Sequence, residues 1–271
     1  MIQLIATDLD ETLLDDASRI TPRTLRALKA VMAAGAGISL SSGRMAEAML
    51  PFAEEIGVNA PMILFNGALV YDHRTGETLY ANALPEKTAK QVAELLEEMD
   101  VYFQIYPASG YYCREITETT RSYVSRIRVP CQPVHEPLSR WMKGDMQKLL
   151  AISEVEKIDK ARERLQQAFP KGVSFMKSHP TFLEIVAEGI DKGSALRELA
   201  GRLGIPMENV MAFGDGQNDE SMIAAAGWGV AMENATEGCR AAARIVAPRY
   251  DEDGVAQVLE KGLAEGWFQR G

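Results

Sequence analysis

Four short stretches hold side chains whose types and spacing suit chemistry. In Asp8-Leu9-Asp10-Glu11-Thr12, Asp8 and Asp10 stand two apart, directly after an apolar run. In extended backbone such residues share a face. Two carboxylates ~4 Å apart repel by about 4 kcal/mol at an effective dielectric of 20, so a cation, a proton or solvent must offset them. A surface turn of solvated acids accounts for that pair, taken alone, equally well. Gly214-Asp215-Gly216-Gln217-Asn218-Asp219 again places acids where an apolar run ends and a helix begins. Asp219 would also suit a simple helix N-cap. Ser41-Ser42-Gly43-Arg44 offers a hydroxyl and free amides at a helix start, apt for an oxyanion or merely for capping. Lys192-Gly193 opens a helix, where a lysine opposes the macrodipole and needs acids or a phosphate nearby to be functional. Three acids converging on one point call for a hard divalent cation with oxygen ligands, and Mg²⁺ fits best. With Lys192, the Ser42 hydroxyl and several amides alongside, the site is built for a phosphoryl group.

Other chemistries find little support. Cys113, Cys131 and Cys239 form no C-x-x-C pair, and their odd number suits reduced, buried or idle thiols. His73, His135 and His179 are too scattered for a zinc site or a His-based triad. No G-x-x-x-x-G-K-[ST] occurs, Gly214–Asp219 lacks the third glycine of a dinucleotide loop, and Glu220 stands where an EF-hand needs glycine. A net charge of −9 argues against a nucleic-acid partner. No apolar run is long enough to span a membrane, and the N-terminus has no basic start of a signal peptide, so a cytoplasmic location is expected.

The elements that must position these residues follow from the apolar pattern. Strands are expected at 2–7, 36–41 and 61–65, with a helix between the first two capped by Thr21, entered at Pro22 and stopped at Gly35. Strands without alternation indicate a parallel sheet covered on both faces. Past residue 84 the pattern becomes αββαβαββ. It comprises a helix at 85–99, strands at 101–106 and 111–114, a helix at 117–128, a proline-containing loop at 129–144 and a strand at 146–152. A helix opened by a Ser153/Glu156 capping box and running to 169 follows, then strands at 173–177 and 182–187. Alternation returns with a helix at 194–203, a strand at 209–213, a helix at 219–226 and strands at 228–232 and 244–247. The expected organisation is a core of residues 1–83 and 189–271 with an inserted domain at 84–188. The four chemical stretches then lie at the carboxyl ends of core strands or the starts of helices, where open α/β sheets bind ligands.

In this order and spacing, the four stretches resemble the four motifs of the haloacid dehalogenase-like (HAD) phosphatase superfamily over essentially the whole chain. The large insertion and Asn66-Gly67-Ala68 resemble its Cof-type subfamily with a type-2 cap. The resemblance implies an α/β fold: a HAD-like Rossmannoid parallel-sheet core with an inserted α+β cap domain that closes over the site. It implies a Mg²⁺-dependent phosphatase acting on small phosphorylated metabolites, sugar phosphates foremost, as a monomer or weak homodimer. Asp8 would be the nucleophile and Asp10 the acid–base group, oriented by Thr12. Mg²⁺ would be held by Asp8, the Asp10 carbonyl and Asp215, with Asp219 in support. Leu9, Ser42, Gly43, Lys192 and Asn218 would hold the phosphate. Asn66, Arg44 and the cap residues Tyr106, Arg114 and Glu184 would be candidate substrate contacts. Glu11 departs from the family's usual glycine, which could alter the turn or the nearby charge. A phosphotransferase or mutase of the same fold is the alternative. A receiver-type phospho-accepting module is usually ~120 residues long and has no cap. A transport ATPase fragment would need a membrane span.

Overall fold

Five short apolar strands pair in parallel in the order Ile245–Ala247, Trp228–Met232, Val210–Gly214, Leu4–Thr7, Gly37–Leu40. The computed structural model describes residues 1–107 and 110–268. Residues 108–109 and 269–271, the latter the end of the expected second core segment, lie outside the described residues. Leu4–Thr7 is buried on both faces and lies between Val210–Gly214, the middle strand of the sheet, and Gly37–Leu40 at its edge. One face packs on the helix Lys192–Arg202 through Leu196 and Leu199, with Met222 alongside. Apolar area removed from water, worth about 25 cal/mol per Å², makes this burial the main stabilising contribution.

The helix Pro22–Ala33 starts as its residues dictate: the Thr21 side chain accepts from the Thr24 amide, and Gly35 leaves at φ 100°. It packs on a C-terminal helix, Gly254–Ala264, which the sequence reading did not anticipate. It also did not anticipate the helices Ala46–Ile56 and Glu237–Ala242 or the strands Leu69–Asp72 and Glu77–Ala81. Pro51 lies inside Ala46–Ile56 and removes a backbone donor there, which masks the helical signal.

Three expectations are corrected. The 61–65 segment is not a third strand of the parallel sheet. Met62–Leu64 pairs antiparallel with Leu69–Asp72 in a separate three-stranded sheet, and meets the core through a parallel Ser41–Ile63 bridge and the packing of Ile63 in one cluster with Leu4 and Ala6. Phe65, Asn66 and Gly67 at φ 51°, 58° and 104° reverse the chain at once, which forces the antiparallel partner. The Ser153/Glu156 capping box does not form, because the N-cap of Val155–Ala168 is Glu154, with no side-chain cap bond. The 129–144 loop contains a two-residue edge strand, Gln132–Pro133, and a short helix, Leu138–Trp141, entered from Pro137.

The chain divides into two units, Met1–Tyr80 with Asp191–Gly271, and Ala81–Ile190. The second carries a six-stranded sheet ordered Val173–His179, Phe182–Ala187, Lys148–Ile152, Phe103–Tyr106, Tyr112–Cys113, Gln132–Pro133. Its helices Glu86–Glu98 and Val155–Ala168 pack on each other. Among the described residues, no helix is long and apolar enough to cross a membrane.

Candidate active site

Asp8 follows the strand Leu4–Thr7, and its amide donates to the Phe213 carbonyl of the neighbouring strand at 3.0 Å. That neighbour, Val210–Gly214, leads straight into Asp215 and Asp219. Adjacent parallel strands therefore deliver acids 207 and 211 residues apart in sequence to one place, where carboxylate oxygens of Asp8, Asp215 and Asp219 lie within 4.8 Å of one another. Lys192 is the first residue of its helix, held there by the reciprocal Asp191/Ser194 capping box. Its Nζ lies 2.5 Å from both Asp8 Oδ1 and Asp219 Oδ1. Gly193 is required beside it, because a Cβ there would collide with the Ser221 carbonyl. Asp219 is fully engaged: its Oδ2 accepts from the amides of Asp215 at 3.1 Å and Gly216 at 3.0 Å. Its side chain thus ties the loop rather than capping the helix Glu220–Ala225 that follows.

Thr12 does not reach Asp10. Its hydroxyl donates to Asp215 Oδ1 at 2.6 Å. The Asp10 carboxylate stands outside the three-acid group, gripped by Arg44 from Nε at 3.0 Å and Nη2 at 2.6 Å. Glu11 occupies φ 58°, which accounts for a glycine at this position in the family pattern, and its carbonyl accepts from Asn234 Nδ2 at 2.9 Å.

The electrostatics follow from this crowding. Burial pushes the Asp8 carboxyl up to about 7; Lys192 opposes the rise, while Asp219 and Asp10 add to it. Burial also pushes Asp215 up to about 9, with Asp219, Asp8 and Glu11 contributing against the Thr12 hydrogen bond. Burial alone would lower Lys192, but the carboxylates of Asp219 and Asp8 outweigh it and hold the ammonium charged. One cation facing three acids leaves a negative excess that a hard cation would neutralise.

On the other side, the Ser42 amide donates to the Ile63 carbonyl at 2.9 Å, and its Oγ accepts from the Arg44 amide at 3.3 Å. Gly43 lies against the Asn66 amide: a Cβ would stand 3.0 Å from both Asn66 Nδ2 and Oδ1. Asn66 is wholly buried; its amide N–H donates to the Ser42 carbonyl at 3.1 Å, and its Oδ1 accepts from Asn218 Nδ2 at 3.0 Å. Leu9 is buried, and its carbonyl closes the turn by accepting from Leu13 and Leu14 at 2.9 Å. Within the first unit the structure thus joins Asp8, Asp215, Asp219 and Lys192 in one group, and Ser42, Gly43, Asn66 and Asn218 in another. Within the second unit, Tyr106 donates to Gln104 at 2.8 Å, Glu184 accepts from Lys148 at 2.9 Å, and Arg114 is exposed.

Sequence reasoning missed the supports. The Thr236 amide donates to the Asp215 carbonyl at 2.9 Å, and the buried Cys239 thiol reaches the Gly216 carbonyl at 2.9 Å. Phe52 lies under the Arg44 guanidinium at 5.6 Å. No local pattern marks these residues; the packing of the helices Ala46–Ile56 and Glu237–Ala242 beside the site reveals them.

The profile of the haloacid dehalogenase-like hydrolase family matches residues 5–259. The pyridoxal phosphate phosphatase YbhA of Escherichia coli is 30% identical over 272 residues, covering 96% of this chain and 98% of that protein. The crystal structure of TM0651 from Thermotoga maritima is 34% identical, with a TM-score of 0.83 and coverage of 96% of this chain and 97% of that one. The HAD subclass IIB sugar phosphatase BT4131 has a TM-score of 0.84 at 26% identity, covering 96% and 98%.

Proposed function

This chain belongs to the haloacid dehalogenase-like hydrolase family and is a phosphatase of that type, and from that premise we propose that it hydrolyses small phosphorylated metabolites, sugar phosphates foremost, through a phosphorylated Asp8. The observation that carries this reading is the joining of Asp8, Asp219 and Lys192 beside Asp215. Related proteins named for pyridoxal phosphate and HMP-PP, and a fold relative named a sugar phosphatase, support the substrate class.

The donor set fits Mg²⁺: hard carboxylate oxygens of Asp8, Asp215 and Asp219 within 4.8 Å of one another, with one buried ammonium among them. Asp8, Asp215 and the Asp10 main-chain carbonyl would hold the ion, with Asp219 fixing the loop. When bound, it would supply charge neutralisation to the phosphoryl oxygens. Ser42, Asn218, Lys192 and the amides of Leu9 and Gly43 hold the phosphate for in-line attack. An Asp8 carboxylate oxygen attacks phosphorus and the ester P–O bond breaks, the leaving oxygen taking a proton from Asp10. Water then gives its proton to Asp10 and attacks phosphorus. The bond to Asp8 breaks and inorganic phosphate leaves. The work is mostly positioning and charge neutralisation, as in phosphoryl transfer generally.

The test is hydrolysis of p-nitrophenyl phosphate with Mg²⁺. EDTA abolishes it and Asp8→Asn is inactive; undiminished turnover by Asp8→Asn removes the nucleophile. A screen of phosphorylated metabolites for released phosphate then ranks substrates.

A further inference from the structure

Arg44 is nearly buried, at 6% exposure, and its guanidinium forks onto both oxygens of Asp10. It is fixed from three more directions. The Phe52 ring lies beneath it at 5.6 Å, its own amide donates to Ser42 Oγ at 3.3 Å, and its carbonyl accepts from the Phe65 amide at 3.2 Å. The Asp10 side chain is more open, at 28% exposure, so it is the reachable end of the pair. Thr12, the expected support of Asp10, is engaged with Asp215.

From this geometry we infer that Arg44 is a positioning residue for Asp10, and not a substrate contact. The inference rests on the acid–base reading of Asp10 given above. A two-armed fork sets the plane and the direction of a carboxylate, which one hydrogen bond does not. Because the Arg44 amide and the Ser42 hydroxyl are joined, the acid–base group is indexed to a residue proposed to hold the phosphate.

The leaving group separates this role from a merely structural one. An alkyl phosphate needs its oxygen protonated as it departs, whereas p-nitrophenolate leaves with little help. Arg44→Ala is expected to lower kcat/KM about 100-fold for an alkyl phosphate, the cost of a misaimed group. It should stay within about threefold of the parent for p-nitrophenyl phosphate, where proton transfer matters least. Adding it to Asp10→Asn should cost nothing further. Equal losses on both substrates, or none, overturn the inference. Asp10→Asn run in the same comparison keeps the two ideas apart: if it lacks the leaving-group signature, the acid–base reading falls; if it shows the signature and Arg44→Ala does not, only the role of Arg44 falls. Should Arg44→Ala melt early, Arg44→Lys, which keeps the charge without the fork, carries the same comparison.

Discussion

Replacing Lys192 with methionine keeps most of the side chain's length and deletes its charge. Lys192 is wholly buried, and its Nζ stands 2.5 Å from Asp8 and Asp219, themselves 10% and 1% exposed as side chains. Solvent therefore screens little of the interaction. Removing one partner of a buried ion pair costs about 3–5 kcal/mol, because the remaining charge loses its compensation. At about 2–4 °C per kcal/mol for a chain of this size, the metal-free variant should melt roughly 6–20 °C below the parent. Acid pH should shrink the difference. Burial already holds Asp8 at about 7 with the lysine opposing the rise, so without the lysine it binds its proton more tightly still. A carboxyl with a raised folded-state value contributes stability below its ordinary value and loses it as pH climbs through the raised one. Calorimetry in EDTA at pH 8 and pH 5.5 reads both effects. A variant melting with the parent at pH 8 would refute the view that this lysine compensates buried acids.

Thr12→Val removes a 2.6 Å hydrogen bond to Asp215. Bonds to charged groups are worth about 1.5–3 kcal/mol, so titration calorimetry should show Mg²⁺ binding at least about tenfold weaker; unchanged affinity would detach Thr12 from the site. Gly193→Ala drives a methyl into the Ser221 carbonyl and should cost about 1–3 kcal/mol, while Gly201→Ala, in open space on the same helix, should be neutral or stabilising. Equal melting temperatures for those two variants would contradict the packing. With Asp8 held at about 7 and Asp215 at about 9, both above the ordinary 3.8, the metal-free protein binds more protons folded than unfolded. Its stability should therefore fall as pH rises from about 4 towards 9, and Mg²⁺ should flatten that slope; a rising metal-free melting curve would reverse the assignment.

The strands were legible because runs such as LIAT, GISL and VMAFG need cover on both faces, which a parallel sheet between helices provides. The acids were legible because they sit where those runs end. Side-chain partnerships were not. Thr12 lies as near in sequence to Asp10 as a partner could, yet bonds Asp215, because the turn around Leu9 swings it towards the adjacent strand. Arg44 carries no local sign that its charge goes to Asp10, 34 positions away. Glu11 read as a departure that could alter the turn or the nearby charge; the backbone sets its side chain where φ is 58°, and its charge adds to the rise at Asp215. The third strand misled because its apolar composition suits either pairing direction; the left-handed turn at Phe65–Gly67 decides between them.

The Leu4–Thr7 strand leaves the ribosome before the other strands of its sheet, yet one of its two neighbours is Val210–Gly214. Until that distant segment emerges, the strand has one flank unpaired, with backbone donors and acceptors open to other chains. Translation at about 5–20 residues per second leaves this edge unguarded for some 10–40 s. The strand that leads into Asp8 would therefore be a site for chaperone attention during synthesis.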